Sequence, residues 1–359
     1  MNEFFPGLVA LLGSGETLPS SGSTHEYIAK SLPDDPNIVI LETPAGFELN
    51  SDRVARKIGE FLEVRLQNYA PNIVQVAARK KGTDYSPENF KIVEPMLKAD
   101  EILLGPGSPT YAVRQLKDSL AFELIKARHR IGSAIVLSSA ATLAFGRHTI
   151  PVYEIFKVGE DLHWKHGLDF WKPFGLNLSV VPHWNNNDGG DELDTSRCFI
   201  GQERFERLVS LLPEEEVILG IDDHTSLILD FCAGTCLVMG KGAVHVLQKG
   251  VQQDIISGET FDLSVLGEFT HPAAGTGINP EVWQQAVSAQ LSRIAEEQFV
   301  PEPPQSVLAL LEKRDEARHS KDWEAADALR IEIEDLGWRV MDTPGGVELV
   351  PMDQNDAAG

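Results

Sequence analysis

Short apolar runs alternate with longer segments of helical period along the amino-terminal half of the chain. The runs predict strands at 7–12, 37–41, 73–77, 101–104 and 133–138. The segments between them predict helices at about 51–66, 88–98 and 110–128. Strands that alternate with helices in this way form parallel sheets covered by helices on both faces. The sequence therefore predicts an α/β fold with a mainly parallel sheet.

The second half predicts further elements of the same kind after a segment, 147–177, that is rich in Trp, His, Gly and Pro. We interpret that segment as loops and short strands near a site. After it we predict a strand at 178–182, a helix at about 197–212, strands at 217–221, 226–231 and 236–239, and a helix at 280–297. The run CLVMGKGAVHVL at 236–247 predicts a hairpin with its turn at Gly240 to Gly242.

A chain of 359 residues exceeds what one hydrophobic core usually supports, so its length predicts more than one domain. The run VPEPPQ contains three prolines, which cannot continue a helix. The predicted organisation is a first domain at 1–299, a Pro-rich linker at 300–305, a small α-helical hairpin at 306–350 and a disordered tail at 351–359. The two helices of the predicted hairpin should be separated near His319 to Asp322.

The chain carries 54 acidic and 31 basic residues, a net charge of −23, which disfavours DNA and anionic membranes as partners. We interpret this acidity as solubility without a specific partner. The three cysteines include Cys232 and Cys236, which lack a nearby histidine or second cysteine pair and predict free buried thiols. We therefore expect no metal and no cofactor. The absence of a basic leader and of a long apolar run predicts a cytoplasmic protein.

The segment SAIVLSSAATLAFG at 133–146 places two serines between a strand and an Ala-rich stretch. Such a turn can project a serine above the sheet, where backbone N–H groups stabilise an oxyanion. Ser-Ser at this position is also typical of a helix cap, and the residues alone leave both interpretations open.

A nucleophilic serine needs a base, and the base needs an orienting acid. His183 follows a strand in VVPHWNNN, and Asp223 follows a strand in ILGIDDHTSLIL. Open α/β sheets bind ligands at the carboxyl ends of their strands. A lone histidine after a strand can equally be a structural residue.

Over about residues 7–248 the sequence resembles the family of dipeptidase E and cyanophycinase, peptidase family S51, whose core is similar to that of class I glutamine amidotransferases. The family nucleophile lies in a Gly-x-Ser-Ala-Gly-Ala turn, which corresponds here to residues 137–142. The resemblance implies that Ser139 is the nucleophile and that His183, after Pro182, is the base. It also implies that Asp223, in a Gly-Ile-Asp-Asp run, is the acid.

The resemblance extends to two further segments. LLGPGSPTYAVRQL at 103–116 is similar to the family's Gly-Gly turn, which implies that Gly107 and Ser108, with the N–H of Ala140, form the oxyanion hole. RCFIGQERFERL is similar to an arginine-bearing helix, which makes Arg204 and Arg207 candidates for substrate binding. Surface charge on an amphipathic helix is the alternative for both.

Two departures from the family pattern concern the turn itself, because Leu137 and Ala141 replace its glycines. Glycine relieves the crowding of a sharp strand-to-helix turn. A member that has weakened or lost its activity is therefore the alternative hypothesis. Aromatic and histidine side chains are candidates for the pocket wall or, alternatively, for core packing: His163, Trp164, His166, Trp171 and Trp184.

The tail at 310–349 resembles the C-terminal segment of cysteinyl-tRNA synthetases. The matching residues are Arg314, Arg318, Lys321, Asp322, Ala326, Asp327, Asp342, Thr343, Pro344 and Gly346. The His-Ile-Gly-His and Lys-Met-Ser-Lys signatures of a synthetase are absent from the sequence, so we do not predict aminoacylation. Residues 305–342 hold six basic and ten acidic side chains, which favours packing or a docked partner over tRNA contact.

Together these features predict a serine-type hydrolase, a peptidase or amidase, that acts on a small peptide-like amide through a Ser-His-Asp triad. The alternative is a binding or adaptor protein whose synthetase-like tail docks an RNA or protein partner. The sequence leaves the substrate open, and also whether the chain forms a homodimer.

Overall fold

The structure, a computed structural model, describes residues 4–297, 302–343 and 346–352. The chain divides into two units, Met1–Gln290 and Leu291–Gly359. The second unit therefore begins inside the last helix that the sequence predicted for the first domain.

Part of the predicted organisation lies outside the described residues. The start of the predicted linker at 300–305 falls there, as does most of the predicted disordered tail, residues 353–359. Pro351, which we had predicted to belong to that tail, is the last residue of a strand.

The described part of the first unit contains two larger sheets and one short strand pair. Its strands are β1 (Val9–Leu12), β2 (Asn37–Leu41), β3 (Asn72–Val76), β4 (Glu101–Leu104), β5 (Ala134–Ser138), β6 (His148–Thr149), β7 (Lys165–His166), β8 (Leu178–Val181), β9 (Val217–Ile221), β10 (Thr225–Asp230), β11 (Thr235–Gly240), β12 (Ala243–Gln248), β13 (Val251–Ile256) and β14 (Thr260–Asp262).

The larger sheet has the strand order β14-β11-β10-β1-β5-β4-β2-β3. The five strands from β1 to β3 in this order run parallel, and β10, β11 and β14 add an antiparallel edge. Leu12 pairs with Ser138, so the carboxyl ends of β1 and β5 lie side by side. The predicted α/β fold with a mainly parallel sheet is confirmed.

The smaller sheet has the order β13-β12-β9-β8, and its strands β8 and β9 are parallel. Val181 pairs with Gly220, which places the residues after β8 next to those after β9. The two predicted strand ends that carry His183 and Asp223 therefore belong to neighbouring strands.

Helices cover both faces of the larger sheet, and others pack against the smaller sheet. They are α1 (Pro19–Ala29), α2 (Ser51–Arg65), α3 (Phe90–Val93), α4 (Pro109–Leu116), α5 (Leu120–Arg130), α6 (Ala140–Ala144), the short element α7 (Ser196–Phe199), α8 (Gln202–Val209) and α9 (Pro280–Glu297). No helix among the described residues is long and apolar enough to cross a membrane.

Alternate residues of each strand point to opposite faces, so the larger sheet has a core on each side. Leu12 and Ile40 pack with Ile58 of α2 on one side. Leu11 and Leu137 belong to the core on the other side, which also contains residues of α4 and α5. Burial of each such side chain contributes about 1.5–3 kcal/mol, so this double core holds the strand ends in fixed positions.

Two predicted helices are each interrupted. The segment 88–98 forms α3 followed by a 3₁₀ helix, Glu94–Lys98, because Pro95 lacks the N–H that an α-helix needs. The segment 110–128 is broken between α4 and α5, where Asp118 has a φ of 57°. Ser119 then caps α5 by accepting a hydrogen bond from the N–H of Phe122 at 3.2 Å.

The predicted hairpin at 236–247 is wrong. Strand β11 pairs with β10 and β14 in the larger sheet, whereas β12 pairs with β9 and β13 in the smaller one. Gly240, with a φ of 109°, and Gly242 therefore carry the chain from one sheet to the other. Helix α1 and strands β13 and β14 were not predicted.

The described part of the second unit beyond α9 contains α10 (Gln305–His319), α11 (Trp323–Asp335), β15 (Trp338–Thr343) and β16 (Gly346–Pro351). We call these elements the C-terminal module. The two predicted helices are confirmed, but the module is not purely helical, because β15 and β16 form an antiparallel pair. Trp338 and Val340 of β15 supply half of a small core with Val307 and Ile333.

Glu101, the first residue of β4, lies in the first unit with no exposed surface. Its two carboxyl oxygens have no hydrogen-bond partner among the described residues. Burial disfavours the charged form and raises the pKa of this carboxyl to about 8. The folded protein therefore keeps Glu101 neutral at pH 7.

This burial predicts that Glu101→Gln stabilises the protein in a pH-dependent way. As the pH rises from about 4.3 towards 8, the unfolded chain loses the Glu101 proton while the folded chain keeps it, so wild-type stability falls. Glutamine has the shape of the neutral acid and does not titrate. We expect the free energy of unfolding of the variant to exceed that of the wild type by on the order of 3 kcal/mol at pH 7. The difference should be near zero at pH 4. Denaturant unfolding at several pH values measures it, with the exposed Glu94→Gln as control. A difference that does not change with pH would contradict the assignment.

Candidate active site

Ser139 connects β5 to α6 in a strained backbone conformation, with φ 51° and ψ −110°. Residues other than glycine rarely adopt a positive φ, and such strain persists only where the surroundings enforce it. The N–H of Ser139 donates to the carbonyl of Leu12 at 3.3 Å, which ties the turn to the end of β1. The turn forms although Leu137 and Ala141 replace the family glycines, and both are fully buried.

The three side chains that the sequence singled out form a hydrogen-bonded line. Ser139 Oγ lies 2.9 Å from His183 Nε2, and His183 Nδ1 lies 2.8 Å from Asp223 Oδ1. The serine comes from the larger sheet, whereas the histidine and the aspartate follow β8 and β9 of the smaller one. The N–H of His183 donates to the carbonyl of Gly13 at 3.3 Å, which joins the two strand edges.

The carboxylate of Asp223 is held by polar groups that the sequence analysis did not single out. Asn186 Nδ2 lies 3.4 Å from the carboxylate Oδ2, and the backbone N–H of Asp223 donates to Asn185 Oδ1 at 2.8 Å, which fixes the main chain of this residue. Partial burial raises the pKa of Asp223, but hydrogen bonds from His183, Ser14 and Asn186 and the charge of His183 outweigh it. The pKa therefore lies below its usual range. Asp223 is thus an anion that can orient the imidazole.

Two backbone N–H groups next to Ser139 have no acceptor within the described part of the chain, those of Gly107 and Ala140. Ala140 is the first residue of α6, so its N–H has no partner within the helix. Gly107 has a φ of 148°, and a Cβ atom there would lie 2.0 Å from the carbonyl oxygen of Pro44. Both groups are therefore free to bind an oxyanion.

Ser108 does not fit the predicted oxyanion role. Its N–H donates to the carbonyl of Pro44 at 2.9 Å, and its Oγ accepts from the N–H of Tyr111 at 3.2 Å. Ser108 is the N-cap of α4, and this use of its N–H corrects the prediction.

A cleft of about 190 Å³ opens beside Ser139 and His183. Ala140, Gly107 and Pro109 contribute to its wall, together with apolar side chains and one cation. These are Leu143, Val152, Tyr153, Phe156, Lys157, Cys198 and Phe199. Several belong to the segment 151–158, which ends in a π-helix, Glu154–Val158. That segment has no regular apolar period, and no signal in the sequence marked Lys157 or Phe156.

The residues predicted for substrate binding or for the pocket wall lie elsewhere. Arg204 Nη2 donates to the carbonyl of Phe199 at 3.2 Å, so it supports the wall without lining it. Arg207 is exposed and pairs with Glu203 one turn away, which favours the alternative of surface charge. Trp171 and Trp184 are buried in cores, and Trp164 donates to the carbonyl of Leu208. His163 and His166 also lie outside the cleft.

A stack of three side chains lies behind the triad. The guanidinium carbon of Arg197 is 4.0 Å from the centroid of the Trp184 ring, and the His245 ring stacks on Trp184 at 5.3 Å. His245 Nε2 lies 3.1 Å from Asp222 Oδ1, and its Nδ1 lies 2.8 Å from Asp254 Oδ1. Trp184 follows His183 in the chain, and Asp222 precedes Asp223. The stack therefore holds the backbone next to His183 and next to Asp223.

The element α7 is a left-handed turn, not the start of the predicted helix at 197–212. Arg197, Cys198 and Phe199 have φ values of 55°, 59° and 65°. A left-handed conformation costs roughly 1–2 kcal/mol per residue, so the surroundings must hold it. The N–H of Cys198 donates to the carbonyl of His183 at 3.1 Å, and the Phe199 ring lies 5.9 Å from the His183 ring. The strained turn therefore contacts His183, the candidate base.

His245 predicts a pH dependence of stability. Burial lowers its pKa, but hydrogen bonds and charges from Asp222 and Asp254 outweigh this and raise the pKa above its usual range. A histidine with a raised pKa stabilises the fold fully below about pH 6.5 and loses this contribution as the pH rises through its folded pKa.

We therefore expect His245→Gln to reduce the free energy of unfolding most at pH 5.5 and least at pH 9. The exposed His271→Gln is the control and should show no such trend. Denaturant unfolding of the three proteins measures the effect. A deficit for His245→Gln that grows with pH would contradict the ion pairs.

Comparison with known proteins gives two different results for the two units. Residues 300–348 match the family model of the cysteinyl-tRNA ligase anticodon binding domain. Over 46 residues the chain is 46% identical to a cysteine–tRNA ligase of Caldicellulosiruptor saccharolyticus, and over 49 residues it is 49% identical to one of Burkholderia lata. These matches cover 13% and 14% of this chain and 10% of each ligase. The chain therefore spans about a tenth of the length of these relatives.

The solved structures that are similar to this chain include a peptidase from an acI-B1 Actinobacterium. It aligns with a TM-score of 0.59 at 19% identity, over 73% of this chain and 98% of that protein. A putative peptidase E protein from Listeria monocytogenes EGD-e aligns with a TM-score of 0.43 at 14% identity, over 66% of this chain and 98% of its own. The first alignment establishes an α/β protein with a peptidase-like fold.

Proposed function

We propose that this protein is a serine-type hydrolase, a peptidase or amidase, that acts on a small peptide-like amide. The observation that carries the proposal is the hydrogen-bonded line from Ser139 through His183 to Asp223, at a strained turn beside a cleft. A buried structural serine would not need a positive φ that turns its hydroxyl towards a histidine.

The geometry supports a two-step acyl transfer. His183 Nε2 takes the proton of Ser139 Oγ while the oxygen attacks the amide carbon, and a tetrahedral intermediate forms. The C–N bond then breaks, and the leaving amine takes that proton from His183. Water next attacks the acyl ester while His183 takes its proton. The ester bond to Ser139 then breaks, His183 returns that proton to Ser139 Oγ, and the acid is released. Asp223 stays ionised and holds the imidazole in one tautomer.

The N–H groups of Gly107 and Ala140 support the proposal because they are available where negative charge develops. Removal of one oxyanion donor typically lowers the catalytic rate by about 10²–10³-fold. Substitution of Gly107 by alanine would place a methyl group against Pro44, so the donor depends on glycine at this position.

Labelling by a fluorophosphonate probe tests the nucleophile. We expect covalent labelling of the wild type and none of Ser139→Ala, because the probe reacts with an activated serine hydroxyl. Asp223→Asn should slow labelling by at least about 10³-fold, since the imidazole loses its orienting anion.

Ser138→Ala is the matched control for this experiment. Ser138 is the neighbouring serine, but it is fully buried and donates to Glu16 Oε2 at 2.8 Å. Its variant should label like the wild type. Labelling that survives in Ser139→Ala would exclude this nucleophile, and an unlabelled wild type would favour the adaptor hypothesis.

A second candidate function belongs to the C-terminal module, for which the anticodon-binding family match favours contact with a tRNA. The family match is the only support for tRNA contact. The segment 305–342 has six basic and ten acidic residues, a net charge of −4, which gives no general attraction to phosphates. Lys313 and Lys321 are exposed cations of the module without an ion pair among the described residues. They would therefore carry any contact with phosphates.

A gel-shift titration of the full chain with bulk tRNA tests this second candidate. Binding that weakens with salt is expected, and the double variant Lys313→Glu, Lys321→Glu should weaken it by about tenfold or more. Lys57→Glu, on α2 of the first unit, is the control and should have no effect. A full chain that does not shift tRNA at low salt would remove this candidate and leave a protein partner for the module.

A further inference from the structure

The cleft beside Ser139 differs in polarity from the surface around it, and this difference bears on the substrate. The proposal below rests on the proposed hydrolase function and names its substrate class. The chain has a net charge of −23, yet none of the described residues that line this cleft is acidic. The side chains of Leu143, Val152, Phe156 and Phe199 make it mainly apolar. An apolar side chain gains free energy by leaving water for such a wall.

Among the described residues, Lys157 is the one lysine or arginine that lines this cleft. Its Nζ lies 4.6 Å from the centroid of the Phe156 ring, which holds the ammonium above the apolar wall. No carboxylate of the described residues lies within ion-pair distance of it, although Lys165, close by in the chain, pairs with Glu154 at 3.6 Å. An unpaired cation beside an apolar wall recognises a ligand that carries an apolar group and an anion next to each other.

The size of the cleft limits what can enter it. A volume of about 190 Å³ is below the 300–1,000 Å³ typical of pockets that enclose a whole small ligand. It suits a single large side chain. Tyr153 also lines an adjoining cleft of about 500 Å³, whose wall includes Glu48, Arg114 and Glu154. This larger and more polar cleft suits the remainder of a peptide.

We propose that the substrate is a short peptide whose carboxyl-terminal residue is large and apolar. The side chain of that residue occupies the cleft beside Ser139, and its free carboxylate pairs with Lys157. The preceding residues extend past Tyr153 into the larger cleft. Ser139 then attacks the carbonyl carbon before the last residue, the C–N bond breaks, and the apolar amino acid leaves with a proton from His183.

An acidic side chain fits this cleft poorly. Its carboxylate would lose water against Leu143 and Phe199, and burial of an unpaired charge is costly. Lys157 is exposed, so its ammonium is accessible to a main-chain carboxylate that keeps contact with water. The structure thus favours an apolar terminal residue over an aspartate.

Binding to the full-length Ser139→Ala variant tests the proposal without turnover. Isothermal titration would compare three peptides: Ala-Ala-Ala-Phe as the free acid, the same peptide as its carboxyl-terminal amide, and Ala-Ala-Ala-Asp as the free acid. We expect the free acid ending in Phe to bind about fivefold tighter than its amide, as one partly exposed ion pair gives. It should bind at least about tenfold tighter than the peptide ending in Asp.

A second substitution assigns the ion pair. Lys157→Met in the Ser139→Ala background should remove the difference between acid and amide and retain the preference for Phe over Asp. Lys57→Met, an exposed lysine on α2, should change neither. Equal binding of acid and amide, or tighter binding of the Asp peptide, would overturn the proposal. These outcomes are independent of probe labelling, which alone decides whether Ser139 is the nucleophile.

Discussion

The positive φ of Ser139 is the constraint on which the arrangement of the site depends. A serine in ordinary strand or helix geometry at this position would place its hydroxyl elsewhere. The conformation is enforced by the register of β5 between β1 and β4 and by the hydrogen bond from its N–H to Leu12. The strain at one residue is small against the burial of the parallel strands around it. This chain forms the turn with Leu137 and Ala141 at those positions because both side chains fit into the core.

The second requirement is that two sheets meet at this turn. The serine belongs to one sheet and the histidine and aspartate to the other, so small shifts between the sheets would separate the hydroxyl from the imidazole. His183 is tied to Gly13 of the larger sheet, and the stack of Arg197, Trp184 and His245 supports the dyad from behind. The left-handed turn at α7 closes the same region from the side of the cleft. Strain in this region is concentrated where the candidate catalytic groups need fixed positions.

The sequence predicts the sheet from the alternation of apolar runs with helical segments. Ser139, His183 and Asp223 are candidates because each follows such a run, but their roles come from the family resemblance. Only the structure shows that the ends of two different sheets bring the three side chains together. The cleft wall could not be predicted, because Phe156 and Lys157 lie in a π-helix without an apolar period. Arg204 lies outside the cleft lining and donates to the carbonyl of Phe199 in the left-handed α7, and sequence spacing does not reveal such a reversal of backbone hand. The signal at Gly240 to Gly242 fits a hairpin as well as a crossing between sheets, and only the pairing of β12 with β9 decides between them.

In the proposed mechanism, Ser139 Oγ and the N–H groups of Gly107 and Ala140 surround one reacting carbonyl. A crystal structure of the protein treated with an alkyl fluorophosphonate tests this most directly, since the adduct resembles the tetrahedral intermediate. We expect a bond between phosphorus and Ser139 Oγ, with the phosphoryl oxygen about 3 Å from both nitrogen atoms. An adduct on another residue, or a phosphoryl oxygen directed away from both N–H groups, would contradict it.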